Sequence, residues 1–297
     1  MPNRATPTSL PGGATTDGRY GVFYQSGYGN PTFYHQFFDD FDNSLGASGL
    51  WAPVFAGAGA VTPANLAGDG GIALLTPGST AAGYAYMQTP VSDFVVTQTY
   101  KMFFGARFML TDTGGVASPT VVLGLTQHQA AGTPAVTDGI YFQKNTATSY
   151  MDLIVNKTST PVSVTGGVGF LAWNATTGLY STALQSGVSY DCGFYLDFNE
   201  NLWGFFGTQL FGFLPQSGSG PYNTGYASGN LTVSPPRGPQ YGATYAAYAA
   251  ANPSFNQPRY PQVVYPTANL SPMLSILAGD TNSPTLTVDF IAVQKER

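Results

Sequence analysis

The residues that could do chemistry are few, and they are scattered. Two imidazoles, His35 and His128, serve the whole chain, and neither stands in a His-Glu-x-x-His, His-x-His or Cys/His spacing. A transition-metal site needs several such ligands converging, so none is expected. Nucleophilic catalysis of the Ser-His-Asp or Cys-His kind needs a histidine base beside an activated nucleophile. No Gly-x-Ser-x-Gly turn occurs, and no Gly-x-x-x-x-Gly-Lys-Ser/Thr phosphate loop. The single cysteine, Cys192, lies in the apolar stretch Tyr190–Phe198 and reads as a buried thiol; one cysteine allows no internal disulfide.

Carboxylates are the remaining route to catalysis. A glycosidase needs two of them at a defined separation across the sugar. The candidates are the run Asp39-Asp40-Phe41-Asp42 and the pair Asp197 and Glu200. Glu200 and Glu296 are the only glutamates, and no Glu-x-Asp-x-Glu spacing lies on any expected strand. Asp39, Asp40, Asp42 and Asn43 offer oxygens of the kind calcium takes, but they do not follow an EF-hand loop. Turn and strand-edge carboxylates are the simpler reading. No catalytic residue, cofactor site or metal site is assigned, and the chain is expected not to be an enzyme.

The elements that would position these groups are strands. Phe104, Ala106, Phe108 and Leu110 alternate with Gly105 and Arg107, and Met151, Leu153 and Val155 with Asp152 and Asn156. Phe194, Leu196 and Phe198 alternate with Tyr195 and Asp197; Leu286, Val288 and Phe290 alternate with Thr287 and Asp289. A period of two buries one set of side chains and turns the other toward solvent or a partner. Gly68-Asp69-Gly70-Gly71, Thr113-Gly114-Gly115, Asp138-Gly139 and Gly166-Gly167 supply turns between the runs. Many short strands so punctuated predict an all-β fold, an antiparallel two-sheet sandwich. The one helical candidate is the alanine-rich Ala243–Ala251.

Two segments break the pattern. Residues 1–36 form an extended N-terminal arm, rich in Gly and Pro, yet holding Tyr20, Phe23, Tyr24, Tyr28, Phe33 and Tyr34. Residues 214–262 form a Pro/Tyr-rich insertion with Tyr222, Tyr226, Tyr241, Tyr245, Tyr248, Phe255 and Tyr260. Disordered tails are poor in aromatics, whereas interfaces are rich in Tyr and Phe and poor in Lys, Glu and Asp. Charged residues make up 8% of the chain, against roughly 25% in ordinary soluble domains. Each segment holds only arginines and at most one acid, while the remainder carries fourteen acids and six bases. So little charge leaves a surface suited to being covered by neighbours, and the two aromatic segments are the expected assembly contacts.

The net charge of −5 and the lack of any Lys/Arg cluster argue against nucleic acid or an anionic membrane as partner. No apolar run nears the ~18 residues of a membrane span, and the polar start Met-Pro-Asn-Arg does not read as a signal peptide. Synthesis in a cytoplasm is expected.

The order of features resembles the concanavalin A-like/laminin G-like jelly roll of bacteriophage virion proteins. The early strand Phe37–Asp42 is followed by Gly70–Thr76, the long strand Lys101–Phe108, Asp138–Phe142, the paired strands Tyr190–Asn199 and Leu202–Phe211, and the closing strand Leu286–Ile291. The resemblance covers about residues 37–213 and 263–297. It implies a jelly-roll β-sandwich over 37–297, interrupted at 214–262, with the first and last strands side by side. It also implies a phage capsid decoration or cement protein on the outer surface of the virion, bound to the major capsid protein and to itself as a dimer or trimer. The alternative is a lectin-like, glycan-binding module of a tail fibre or spike, with Trp173 and Trp203 as candidate sugar platforms. The metal-holding His/Asp loop of legume-type lectins has no counterpart here.

Overall fold

The fold follows from the period-two pattern. The structure, a computed structural model, describes residues 34–41, 50–57, 59–65, 71–91, 93–96, 100–112, 118–129, 132–163, 172–174, 179–181, 183–196, 202–206, 209–214 and 265–296. Two antiparallel sheets pack face to face as a jelly-roll β-sandwich. The first runs in the order β16 (Gln209–Leu214), β15 (Leu202–Phe206), β14 (Ser189–Leu196), β7 (Met102–Thr111), β18 (Thr285–Glu296), β4 (Gly71–Thr76) and β3 (Ala60–Asn65). An eighth strand, β1 (Tyr34–Asp39), lies along the second half of β18. The second sheet runs β11 (Thr160–Ser163), β10 (Asp152–Lys157), β9 (Gly139–Lys144), β8 (Thr120–Gln127), β17 (Asn269–Leu277), β5 (Tyr84–Gln88) and β2 (Ala52–Ala56). The short β6 (Phe94–Val95) pairs with the start of β17, and β12 (Ala172–Asn174) pairs with β13 (Leu179–Ser181) as a separate ribbon.

The expected alternation sets the core. Phe104, Ala106, Phe108 and Leu110 of β7 face Leu123 and Leu125 of β8, Phe142 of β9, and Leu153 and Val155 of β10 in one buried cluster. Within the first sheet the aromatics are layered: Phe104 stacks on Phe194 at 5.3 Å, and Tyr190 on Phe206 at 5.3 Å. Cys192 is buried among them, and burial raises its thiol pKa well above the usual value, which leaves it an inert packing residue.

Two central strands change neighbours partway along, and each marks the change with a local device. β17 leaves β5 after Met273 and takes up β6 at Leu270, and Pro272 sits in the gap, where its missing N–H is not needed on that side. β18 pairs with β4 as far as Val288 and with β1 from Ile291, and the register against β7 shifts between Val288 and Phe290. That bulge corrects one expectation. Strict alternation placed Phe290 with Leu286 and Val288 on the core face, but the extra residue at Asp289 turns Phe290 to the outer face and Ile291 into the core.

First and last strands are side by side as expected, with Phe37 opposite Val293 and Asp39 opposite Ile291. β1 begins at Tyr34, so residues 34–36, read from sequence as arm, belong to the sandwich: pairing with β18 satisfies their backbone groups. The segment 1–33, the helical candidate Ala243–Ala251 and residues 215–264 lie outside the described residues.

Candidate assembly surface

Strand directions place the roots of both aromatic segments at one end of the sandwich. Tyr34, where the arm joins, pairs with Glu296, and the neighbouring pair Lys295–Met102 fixes that end of the first sheet. Met102 pairs with Leu196, Leu196 with Leu202, and Leu202 with Leu214, so the insertion also departs at this level. It returns at the same end: Tyr265 is buried in the core just before Asn269, which opens β17 opposite Val95. Of the expected contacts, Tyr34 is thus fixed in β1 at the arm's root. Tyr20, Phe23, Tyr24, Tyr28 and Phe33 lie outside the described residues, as do Tyr222, Tyr226, Tyr241, Tyr245, Tyr248, Phe255 and Tyr260.

The arm's root is held by aromatic and polar contacts. His35 stacks on Phe94 with ring centroids 4.7 Å apart, and its Nε2 lies 4.0 Å from Asp93, joining β1 to β6 across the two sheets. Phe37 meets Trp51 edge-on at 5.4 Å. The Trp51 indole N–H donates to Asp39 Oδ2 at 2.5 Å, and the Phe41 N–H donates to Asp39 Oδ1 at 2.8 Å. Phe41 takes a left-handed φ of 59° in this tight turn and is itself buried. Both oxygens of Asp39 therefore accept hydrogen bonds within the fold; Asp42 lies outside the described residues.

Four large apolar side chains are exposed among the described residues: Val91 at 59%, Phe55 at 53%, Tyr100 at 40% and Leu50 at 37%. Three belong to the same end. Val91 follows the last residue of β5, Tyr100 precedes β7 with Lys295 Nζ 5.9 Å over its ring, and Leu50 precedes Ala52, the partner of Gln88. No sequence signal singles out Val91 or Leu50; their exposure depends on which strand ends are left uncovered.

Much of both outer faces is packed among the described residues. On the first sheet Phe103, Phe205, Phe290 and Ala292 form a second buried cluster, with Phe38 and Tyr195 against it. Gly193 makes room for it, since a Cβ there would come within 2.3 Å of the Phe205 ring and 2.4 Å of the Phe104 carbonyl. Beside the cluster Arg107 donates to Asp191 at 2.6 and 3.4 Å, lies 3.5 Å from Asp289, and sits over the Phe290 ring. On the second sheet Gln88 Nε2 donates to Thr126 Oγ1 at 2.9 Å, and its Oε1 accepts the Gln129 N–H at 2.8 Å. Asn156 Nδ2 donates to the Val136 carbonyl at 2.7 Å and to the Tyr141 hydroxyl at 3.3 Å. Asp152 and Asn156, expected to face solvent or a partner, are buried on this outer face. Tyr86 and Tyr141 are buried as well, and burial raises both phenol pKa values. Neither face offers an open aromatic platform among the described residues. Trp203 stands opposite Tyr195 in β15 and Trp173 opposite Tyr180 in β12.

No group of three or more His, Cys, Asp or Glu converges among the described residues. His128 is exposed just beyond β8, and Asp197 and Glu200 lie outside the described residues.

The sequence matches no protein-family model and no curated protein. Solved structures do resemble it. A protein of unknown function from Shewanella oneidensis MR-1 is 10% identical, with a TM-score of 0.50 over 95% of each chain. The carbohydrate recognition domain of Emp47p is 9% identical, with a TM-score of 0.48 over 89% of this chain and 97% of that one. A carbohydrate esterase of the Shiga toxin-encoding bacteriophage phi24B is 10% identical, with a TM-score of 0.45 over 87% of this chain and 96% of that one. At such identities the likeness concerns the fold alone.

Proposed function

We propose that the protein is a non-enzymatic virion structural protein, a decoration or cement protein that binds across capsomer boundaries on the outside of a bacteriophage head. The observation that carries this reading is the shared root of the two aromatic, nearly uncharged segments, at the end of the sandwich that also exposes Leu50, Val91 and Tyr100. A sandwich whose two aromatic, nearly uncharged segments are rooted at one end suits a module that docks by that end. At ~25 cal/mol per Å², a few hundred Å² buried per segment supplies several kcal/mol before ordering costs, and repetition over a shell multiplies the effect. The partner is then the major capsid protein.

The test is co-sedimentation with capsids of the same virus, comparing the full chain with a form lacking residues 1–33. Stoichiometric binding that depends on the arm is expected. Absence of binding by the full chain, together with selective retention on a glycan array, would replace this reading with the glycan-binding one.

A further inference from the structure

Residues 1–33 join the described fold covalently at Tyr34, the first residue of β1. The direction of that strand decides how a load on the arm is carried. β1 runs antiparallel to β18, from the pair Tyr34–Glu296 at the arm-bearing end to the pair Asp39–Ile291 farther in. β18 is itself laid on β7 from Thr285 to Lys295. Its end is fastened there as well: the Glu296 N–H donates to the Lys101 carbonyl at 2.9 Å, and Glu296 Oε2 accepts the Lys101 N–H at 3.2 Å. β18 is therefore a fixed track, and β1 lies along it.

Ladder hydrogen bonds between antiparallel strands lie across the strand axis. A pull on Tyr34 along that axis, out of the end of the sandwich, strains all the β1–β18 bonds at once. A pull across the axis strains the first of them alone, and the others then part in turn. The far end of β1 widens this difference. Asp39 accepts the Trp51 indole N–H and the Phe41 N–H, and the buried rings of Phe41 and Trp51 lie 6.0 Å apart. Phe37, within the strand, meets Trp51 edge-on. An axial pull drags on these contacts from the start, whereas peeling from Tyr34 reaches Asp39 last.

We infer that β1 is a load-bearing strap: it resists a pull along its axis, as from an anchored arm, more strongly than a pull across it. A cement protein is loaded between its anchor and its body. Docking by the arm-bearing end directs that load out of the end of the sandwich, along β1. The strap's use on a shell rests on the decoration reading; its directional strength does not, and the test needs no capsid.

The full chain is stretched in optical tweezers between its N-terminus and a second handle at one of two places. In the first arrangement the handle is on Ser283→Cys, an exposed position just before β18, at the end of that strand remote from Glu296. The pull then runs along β1. In the second the handle is on a cysteine added after Arg297, next to the Tyr34–Glu296 pair, and the pull parts the strands pair by pair. Cys192 is buried and takes no handle. Forced opening reads the barrier to strand release, and at one loading rate the first force peak should be at least about twofold higher in the axial arrangement. Trp51→Phe, which keeps a ring but removes the N–H, should lower the axial peak and leave the transverse peak unchanged. Equal peaks in the two arrangements would overturn the inference, and so would a Trp51→Phe loss shared equally by both. Unequal peaks in a chain that binds no capsid would leave the strap standing and remove the decoration reading.

Discussion

The indole of Trp51 and the carboxylate of Asp39, twelve residues apart, meet in a buried hydrogen bond of 2.5 Å that fastens the chain entering β2 to the end of β1. Asp39→Ala leaves that indole N–H and the Phe41 N–H without acceptors. Bonds to an ionised partner contribute about 1.5–3 kcal/mol each, and orphaned buried donors add their own cost. A loss of about 2–4 kcal/mol in urea unfolding is expected. Asp39→Asn, which keeps one acceptor, should lose less; equal losses would show that the charged pair of acceptors, rather than the shape of the side chain, carries the effect.

Arg107 is the cation for two outer-face carboxylates, and Asp191 is 6% exposed. Arg107→Met keeps most of the packing over Phe290 but removes the guanidinium that donates to the buried Asp191. Since the arginine side chain is 35% exposed, the cost is moderated by solvent, and a loss of about 2 kcal/mol is expected by denaturant titration.

Gly193→Ala places a methyl group against the Phe205 ring and the Phe104 carbonyl. Backbone cannot yield as a flexible side chain does, so the outer cluster must open. A destabilisation of about 1–3 kcal/mol is expected, with greater exchange of β15 amides than of β9 amides.

Lys144 is fully buried, its ammonium donating to the carbonyls of Pro119 and Asn145. Burial lowers its pKa from 10.5 to about 8, against a smaller opposing influence of Asp112. Between about pH 8 and 10.5 the unfolded chain therefore binds more protons at this site, and stability rises with pH across that window. Burial raises the pKa of Cys192 well above 9.0 and those of Tyr86, Tyr141 and Tyr190 above 10.0, so above those pH values the folded state keeps protons the unfolded state has lost, which lowers stability. Thermal unfolding scanned against pH should rise from about pH 8, level off from about pH 9 where the thiol opposes the lysine, and fall above pH 10. Lys144→Met should flatten the rising limb; an unchanged limb would mean that the buried ammonium is not its source.

Removal of residues 1–33 leaves β1 intact, since pairing with β18 starts at Tyr34. The midpoint of thermal unfolding should change little while capsid binding is lost. A form shortened past Asp39 should instead unfold, because it removes the β18 partner and the acceptor for Trp51.

Particular strands show how far the sequence reaches. In β7, Phe104, Ala106, Phe108 and Leu110 announce their buried face by alternation alone, because the side-chain period of a strand is fixed by its backbone. The same logic fails at Phe290, where one extra residue at Asp289 reverses the faces, and it fails for Asp152 and Asn156, which are polar yet buried. A bulge follows from what lies on either side of a strand, here the change from β4 to β1, and no local pattern records that. The scarcity of charge, the two aromatic segments and the missing histidine-based and phosphate-loop motifs are properties of composition and spacing, so the sequence by itself determined them. That the roots of both segments share one end was decided only by tertiary structure. Strand order and direction arise from pairings between residues as far apart in sequence as Tyr34 and Glu296, and such contacts exist only once the chain has folded.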